Sequence, residues 1–159
     1  MQRANIYTGE YEYDETDPDG YHAGAIALHH EVAARELNVV VFELPPGQSV
    51  CPYHYEYNEE WLVALDGPVM VRTPDGEEQL ASGDAVCFPA GPAGAHKATN
   101  HGTATVRLMM FSAATLPSVA VYPDSDKIGV KTGNPDDKVR LHRADGHVDY
   151  WVGETPEPG

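Results

Sequence analysis

Between residues 37 and 116 the chain is broken into short apolar runs, none longer than eight residues, each closed by a turn rich in glycine or proline. The runs fall at 38–44, 60–65, 69–73, 77–80, 85–88, 95–100 and 105–112. Between them stand Pro45-Pro46-Gly47, Asp66-Gly67-Pro68, Pro74-Asp75-Gly76, Ser82-Gly83-Asp84, Gly91-Pro92 and His101-Gly102. Such runs are too short for ordinary helices, and proline-glycine turns stop them before a helix could form. Pro74-Asp75-Gly76 is a hairpin signal, because glycine relieves the positive φ that tight turns demand. Strands at this spacing close into a sandwich or a barrel. The 15 glycines and 13 prolines of the chain fit that economy of many turns.

A length of 159 residues suits one domain. Its pattern divides it into an N-terminal arm (1–36), the strand-rich barrel (37–116) and a C-terminal extension (117–159). The arm is acidic and tyrosine-bearing and ends in AIALHHEVAAREL, which reads equally as a short helix or a strand. The extension offers strand-like pieces at 119–122, 128–131 and 147–152 before its tail. The net charge of −15 repels phosphate backbones and anionic bilayers, so neither nucleic acid nor a membrane is an expected partner. No apolar run approaches transmembrane length, and the N-terminus lacks the basic start and apolar stretch of a secretory signal. Cytoplasmic placement is the resulting expectation. Cys51 and Cys87 fit it as reduced thiols, with a bridge between them left open.

The chemically informative segment is Pro52-Tyr53-His54-Tyr55-Glu56-Tyr57-Asn58-Glu59-Glu60-Trp61. Strand side chains alternate faces. If extended, the segment points His54, Glu56, Asn58 and Glu60 one way, and its tyrosines, Glu59 and Trp61 the other. An inward row of carboxylates and a histidine is costly to desolvate. A divalent cation compensates that cost and makes ligands of two carboxylates that otherwise repel. A hydrogen-bonded core network without metal is the competing account of the same residues. The tyrosine stripe reads as packing or interface surface. His29 and His30 read as a partly exposed pair, with a contribution to the site left open. His22, His101, His142 and His147 match no ligand spacing.

Two ordered groups of residues carry a family resemblance. The first is Gly47, His54, Glu56, Glu60 and Gly67; the second is Gly83, Pro89, Gly91, His96 and Asn100. Together they resemble the two motifs of the cupin superfamily. The resemblance implies an all-β fold, a single double-stranded β-helix barrel (jelly roll). It also implies one divalent metal ion, with His54, Glu56, Glu60 and His96 as the ligand positions. The family's usual second histidine is replaced here by Glu56, and the gaps from Gly47 to His54 and from Gly91 to His96 are longer than usual. Two histidines and one or two carboxylates suit Mn, Fe or Zn better than a soft metal. Glu56 is thus either a fourth ligand or, held back from the ion, a catalytic general base. The implied activity is that of a metal-dependent enzyme on a small oxygen-rich molecule, of oxygenase, decarboxylase or isomerase type. A non-catalytic metal- or ligand-binding module is the alternative. Barrels of this family commonly pair through strand edges, so a homodimer is expected, with the N-terminal arm and 118–122 as edge-covering material.

Overall fold

The computed structural model describes residues 1–134, 136, 139–143 and 152. Its described strands are β1 (Gly24–Ile26), β2 (Leu37–Leu44), β3 (Tyr55–Glu56), β4 (Glu60–Asp66), β5 (Val69–Thr73), β6 (Gly76–Leu80), β7 (Ala85–Phe88), β8 (Lys97–Thr99), β9 (Val106–Ala113), β10 (Ser118–Tyr122), β11 (Lys127–Lys131) and β12 (Val139–His142). One turn of helix, α1 (Leu28–Glu31), follows β1. The fold is all-β, as the turn spacing demands. No helix among the described residues is long and apolar enough to cross a membrane.

The strands form three antiparallel sheets, ordered β1-β2-β9-β4-β7, β12-β11-β10-β3 and β6-β5-β8. Alternation sends Leu44, Leu62, Ala64, Phe88, Val106 and Leu108 of the first sheet inward, against Val69, Val71 and Ala98 of the third. All nine are buried, and the core lies between these two sheets. A second cluster joins Tyr53 and Tyr55 to Ala95 and Val121. The tyrosine stripe is therefore packing at two positions, while Tyr57 is exposed.

The seven barrel runs all become strands, with one departure. The run 95–100 is trimmed to β8, because Pro92–Gly94 coil into a 3-10 turn ahead of it. A Cβ on Gly94 would come within 1.8 Å of the Pro89 carbonyl oxygen, so only glycine permits that turn to fold so tightly. The ambiguous AIALHHEVAAREL resolves into both readings: its start belongs to β1 and its centre to α1. β1 pairs along β2, so the arm covers that edge within its own chain. The segment 118–122 forms β10, which lies between β11 and β3 and so covers the β3 edge within its own chain. The expectation for 147–152, with Tyr150 and Trp151, falls outside the described residues apart from Val152.

Asn100 ties the loop after β8 to the end of β2. It is fully buried. Its Nδ2 donates to the carbonyls of Leu44 at 2.8 Å and Ala104 at 2.9 Å, and its Oδ1 accepts from Gly102 N–H at 2.8 Å. Asn100→Ala strands those groups away from water, and is expected to lower the unfolding free energy by about 3 kcal/mol. Urea denaturation with an unchanged slope and a lowered midpoint is the measurement. An unshifted midpoint would mean that water replaces the amide.

Candidate metal centre

His54 and His96 face each other across a backbone pair. His54 N–H donates to the His96 carbonyl at 3.1 Å, and His96 N–H to the His54 carbonyl at 2.8 Å. Residues opposed in this way project to the same face, and their ring centroids stand 4.8 Å apart. The third group comes from another sheet. Glu60 opens β4, flanked by Phe88 on β7 and Ser112 on β9. Its Oε2 lies 3.6 Å from His54 Nε2 and 3.8 Å from His96 Nε2. One ligand atom from each of the three residues falls within 4.8 Å of the others. Atoms bound at about 2.0–2.3 Å to a common ion stand about 3–4 Å apart, so the two carboxylate–imidazole spacings suit a metal.

Both imidazoles are set for ligation. His54 Nδ1 lies 3.0 Å from the Pro52 carbonyl, and His96 Nδ1 lies 2.8 Å from the Gly94 carbonyl. A carbonyl only accepts, so each Nδ1 carries the proton and each Nε2 presents a lone pair. Phe88 stacks on His96 with centroids 3.7 Å apart and planes within 5°, which fixes the ring. Glu60 Oε2 and His96 Nε2 are buried without a hydrogen-bond partner among the described residues. Lone pairs aimed at one another in a dry place repel, and a cation removes that repulsion. The donor set therefore fits a borderline divalent metal held by two nitrogens and a carboxylate, with positions left for water or substrate.

Burial pushes the Glu60 carboxyl up to about 7, and the neighbouring Glu56 carboxylate adds to the rise while Lys131 opposes it. Burial depresses His96 to about 4, against the pull of the Gly94 carbonyl. His54 is lowered too, chiefly by burial, with Glu56 working the other way.

Glu56 is close by but outside the trio. Its Oε2 accepts a hydrogen bond from Ser118 Oγ at 3.1 Å. His54, Glu56, Asn58 and Glu60 all line one cavity of about 530 Å³, as period-two alternation predicts. The segment is nonetheless not one strand. His54 pairs with His96, Tyr55–Glu56 pair with β10, and the chain bends before β4. His29 lines the same cavity from α1, its Nδ1 bonded 2.9 Å from the Val39 carbonyl. Both cysteines are free. Cys51 lies 3.5 Å from His54 Nδ1, and burial pushes its thiol up to about 12. His22 stands beside Asp19 at 3.6 Å, and His101 is exposed. Ser118 and Lys131 also line the cavity. No sequence signal marks them, because they reach it only through the β3–β10–β11 pairing.

The family model for the cupin domain matches residues 40–112. The barrel is a cupin domain. Solved structures share this cupin fold over nearly the whole chain. One, assigned as a sugar phosphate isomerase from Acidithiobacillus ferrooxidans, is 24% identical, with a TM-score of 0.79, over 90% of this chain and 91% of that one. Another, a sugar phosphate isomerase of the cupin superfamily from Silicibacter pomeroyi, is 18% identical, with a TM-score of 0.80, over 93% and 97%. A polyketide cyclase from Streptomyces resistomycificus matches with a TM-score of 0.60 at 20% identity, over 74% and 83%. At such identities the likeness is one of fold. No curated protein sequence matches the chain significantly.

Metal entering this cupin site must displace the proton on Glu60. That proton is present below about 7 and absent above it, whereas His96 stays neutral down to about 4. Affinity for manganese or zinc is therefore expected to rise about tenfold per pH unit as pH climbs toward 7, and to level off above it. Calorimetric titration between pH 5.5 and 8.5 checks this. A flat profile below 7 would remove Glu60 from the ligand set.

Proposed function

We propose that this cupin is a metal-dependent enzyme of isomerase type acting on a small, oxygen-rich molecule. The observation that carries this reading is the His54, Glu60 and His96 trio in the wall of a cavity of about 530 Å³, with a further carboxylate, Glu56, lining the same cavity. A cavity of that size takes a molecule of a few carbons and their oxygens. The two cupins that align over nine-tenths or more of both chains are assigned as sugar phosphate isomerases, which favours isomerisation over oxygenation or decarboxylation.

In this reading His54, His96 and Glu60 hold a divalent ion of the Mn, Fe or Zn kind, which when bound polarises substrate oxygens as a Lewis acid. Glu56 is the proton carrier. Ser118 Oγ holds one of its oxygens, Oε2, and leaves Oε1 to take a proton from carbon and return it to the neighbouring one. Val40, Phe42 and Met110 line the cavity beside these groups and limit how much water shares it. The Nδ1 bonds to Pro52 and Gly94 keep both imidazoles in one tautomer throughout. A molecule of this kind works in the cytoplasm.

Glu56→Gln keeps the shape and the Ser118 contact and removes the base. It is expected to slow proton transfer about 10²–10⁴-fold while changing manganese affinity less than threefold. Incorporation of solvent deuterium into a panel of aldoses and their phosphates, followed by NMR, is the assay. A loss of metal binding in this variant would make Glu56 a fourth ligand instead of a base. No exchange with any sugar by metal-loaded wild type would favour a non-catalytic binding module.

We also infer a homodimer. The outward face of the five-stranded sheet carries Val39, Phe111, Trp61 and Cys87 in one row, and Met109 and Val63 in the next. All six are half-buried, and Trp61 stacks on Phe111 with planes within 8°. Continuous apolar surface of this kind suits self-association. Light scattering is expected to give about twice the chain mass for wild type, and the single-chain mass for Trp61→Glu. A monomeric wild type would overturn the inference.

A further inference from the structure

Lys131 is the one lysine or arginine, among the described residues, that lines the cavity of the trio. Arg72 is tied to Asp124 at 2.6 Å, Arg107 to Glu43 and Asp66 at 2.8 and 2.9 Å, and Arg143 to Asp126 at 2.7 Å. Lys131 has no carboxylate within ion-pair distance among the described residues, and it is exposed. It ends β11 directly across from Ser118 of β10, the residue that holds Glu56. Through that pairing it reaches the cavity. It also lines the small neighbouring cavity behind Glu56. Its side chain is thus at once exposed and cavity-lining.

The remaining polar lining is of another kind. Asn38, Asn58, Ser112, Thr115 and Ser118 offer neutral donors and acceptors suited to hydroxyl groups. A polyhydroxylated chain lying among them meets both the trio and the ammonium. In a protein of net charge −15, an anion is disfavoured nearly everywhere on the surface. An ammonium without an ion pair in the lining of this cavity provides a local exception.

We infer that Lys131 is the specificity residue for an anionic group, phosphate or carboxylate, on the oxygen-rich substrate. The inference rests on the isomerase reading above and adds the charge of the molecule to it. Lys131 is assigned to binding of the charged group, while Glu56 and the trio carry the chemical step.

The test uses the full chain loaded with manganese, in wild-type form and as Lys131→Met, which keeps the apolar stem and removes the charge. Manganese affinity is measured first and is expected to agree within threefold between the two. Binding is then measured for glucose 6-phosphate and ribose 5-phosphate, for glucuronate, and for glucose and ribose as neutral controls. Wild type is expected to bind at least one anionic class tenfold or more tightly than its neutral counterpart, with the preference weakening as salt rises. The phosphate and glucuronate arms tell the two anion sources apart. Lys131→Met is expected to bring charged and neutral sugars within twofold of one another. Equal binding of neutral and anionic sugars by wild type overturns this inference alone, as does a preference that survives in Lys131→Met. A tenfold drop in manganese affinity in the variant also overturns it, because Lys131 would then be a counter-charge for Glu56 and Glu60. Wild type that binds manganese but no sugar of either class overturns the isomerase reading and this inference with it.

Discussion

Two backbone hydrogen bonds between His54 and His96 are the constraint on which the site depends. They join the segment ahead of β3 to the segment ahead of β8, and so tie the third sheet to the second. Cross-strand opposition then leaves the two imidazoles no choice but to share a face. The same turns that end these segments supply the carbonyls of Pro52 and Gly94 that fix the tautomers. Ring orientation, proton placement and ligand spacing thus follow from main-chain geometry, which side-chain substitution elsewhere perturbs little.

Glu60 is the element this scaffold holds at a cost. It is delivered from the opposite sheet into a place where burial and the Glu56 carboxylate both resist its ionisation. Without a cation its proton is the cheaper answer, and the pair of histidines, held neutral by burial, does not supply one. A divalent ion reverses the balance, since two carboxylates near it give an overall neutral site. That neutrality distinguishes this site from one with three histidines and a single carboxylate, which keeps a net positive charge.

The cupin likeness spans proteins assigned to different chemistries, from isomerase to cyclase, on one barrel. One scaffold hosts many reactions. In this chain the wall is assembled from α1, β2, β9, β10 and β11, so substrate choice is written by segments far apart in sequence. Metal chemistry and substrate recognition are in this sense separable here.

The sequence by itself determined the all-β class, the turn positions and the inward row of His54, Glu56, Asn58 and Glu60, because period-two alternation and glycine-proline turns are local properties. The resemblance of its motifs to those of cupins implied His96 beside them. What the sequence left open were relations across space. Only the tertiary structure decided that Glu60 meets both imidazoles while Glu56 is held by Ser118, since that depends on how β3 bends away from β4 and pairs with β10. It alone decided that 118–122 lies between β11 and β3, and that Lys131 lines the cavity. Pairing partners more than 60 residues apart, as Glu56 and Ala120 are, leave no periodic trace in either segment. Strand register is a property of the assembled sheet, and only the folded chain fixes it.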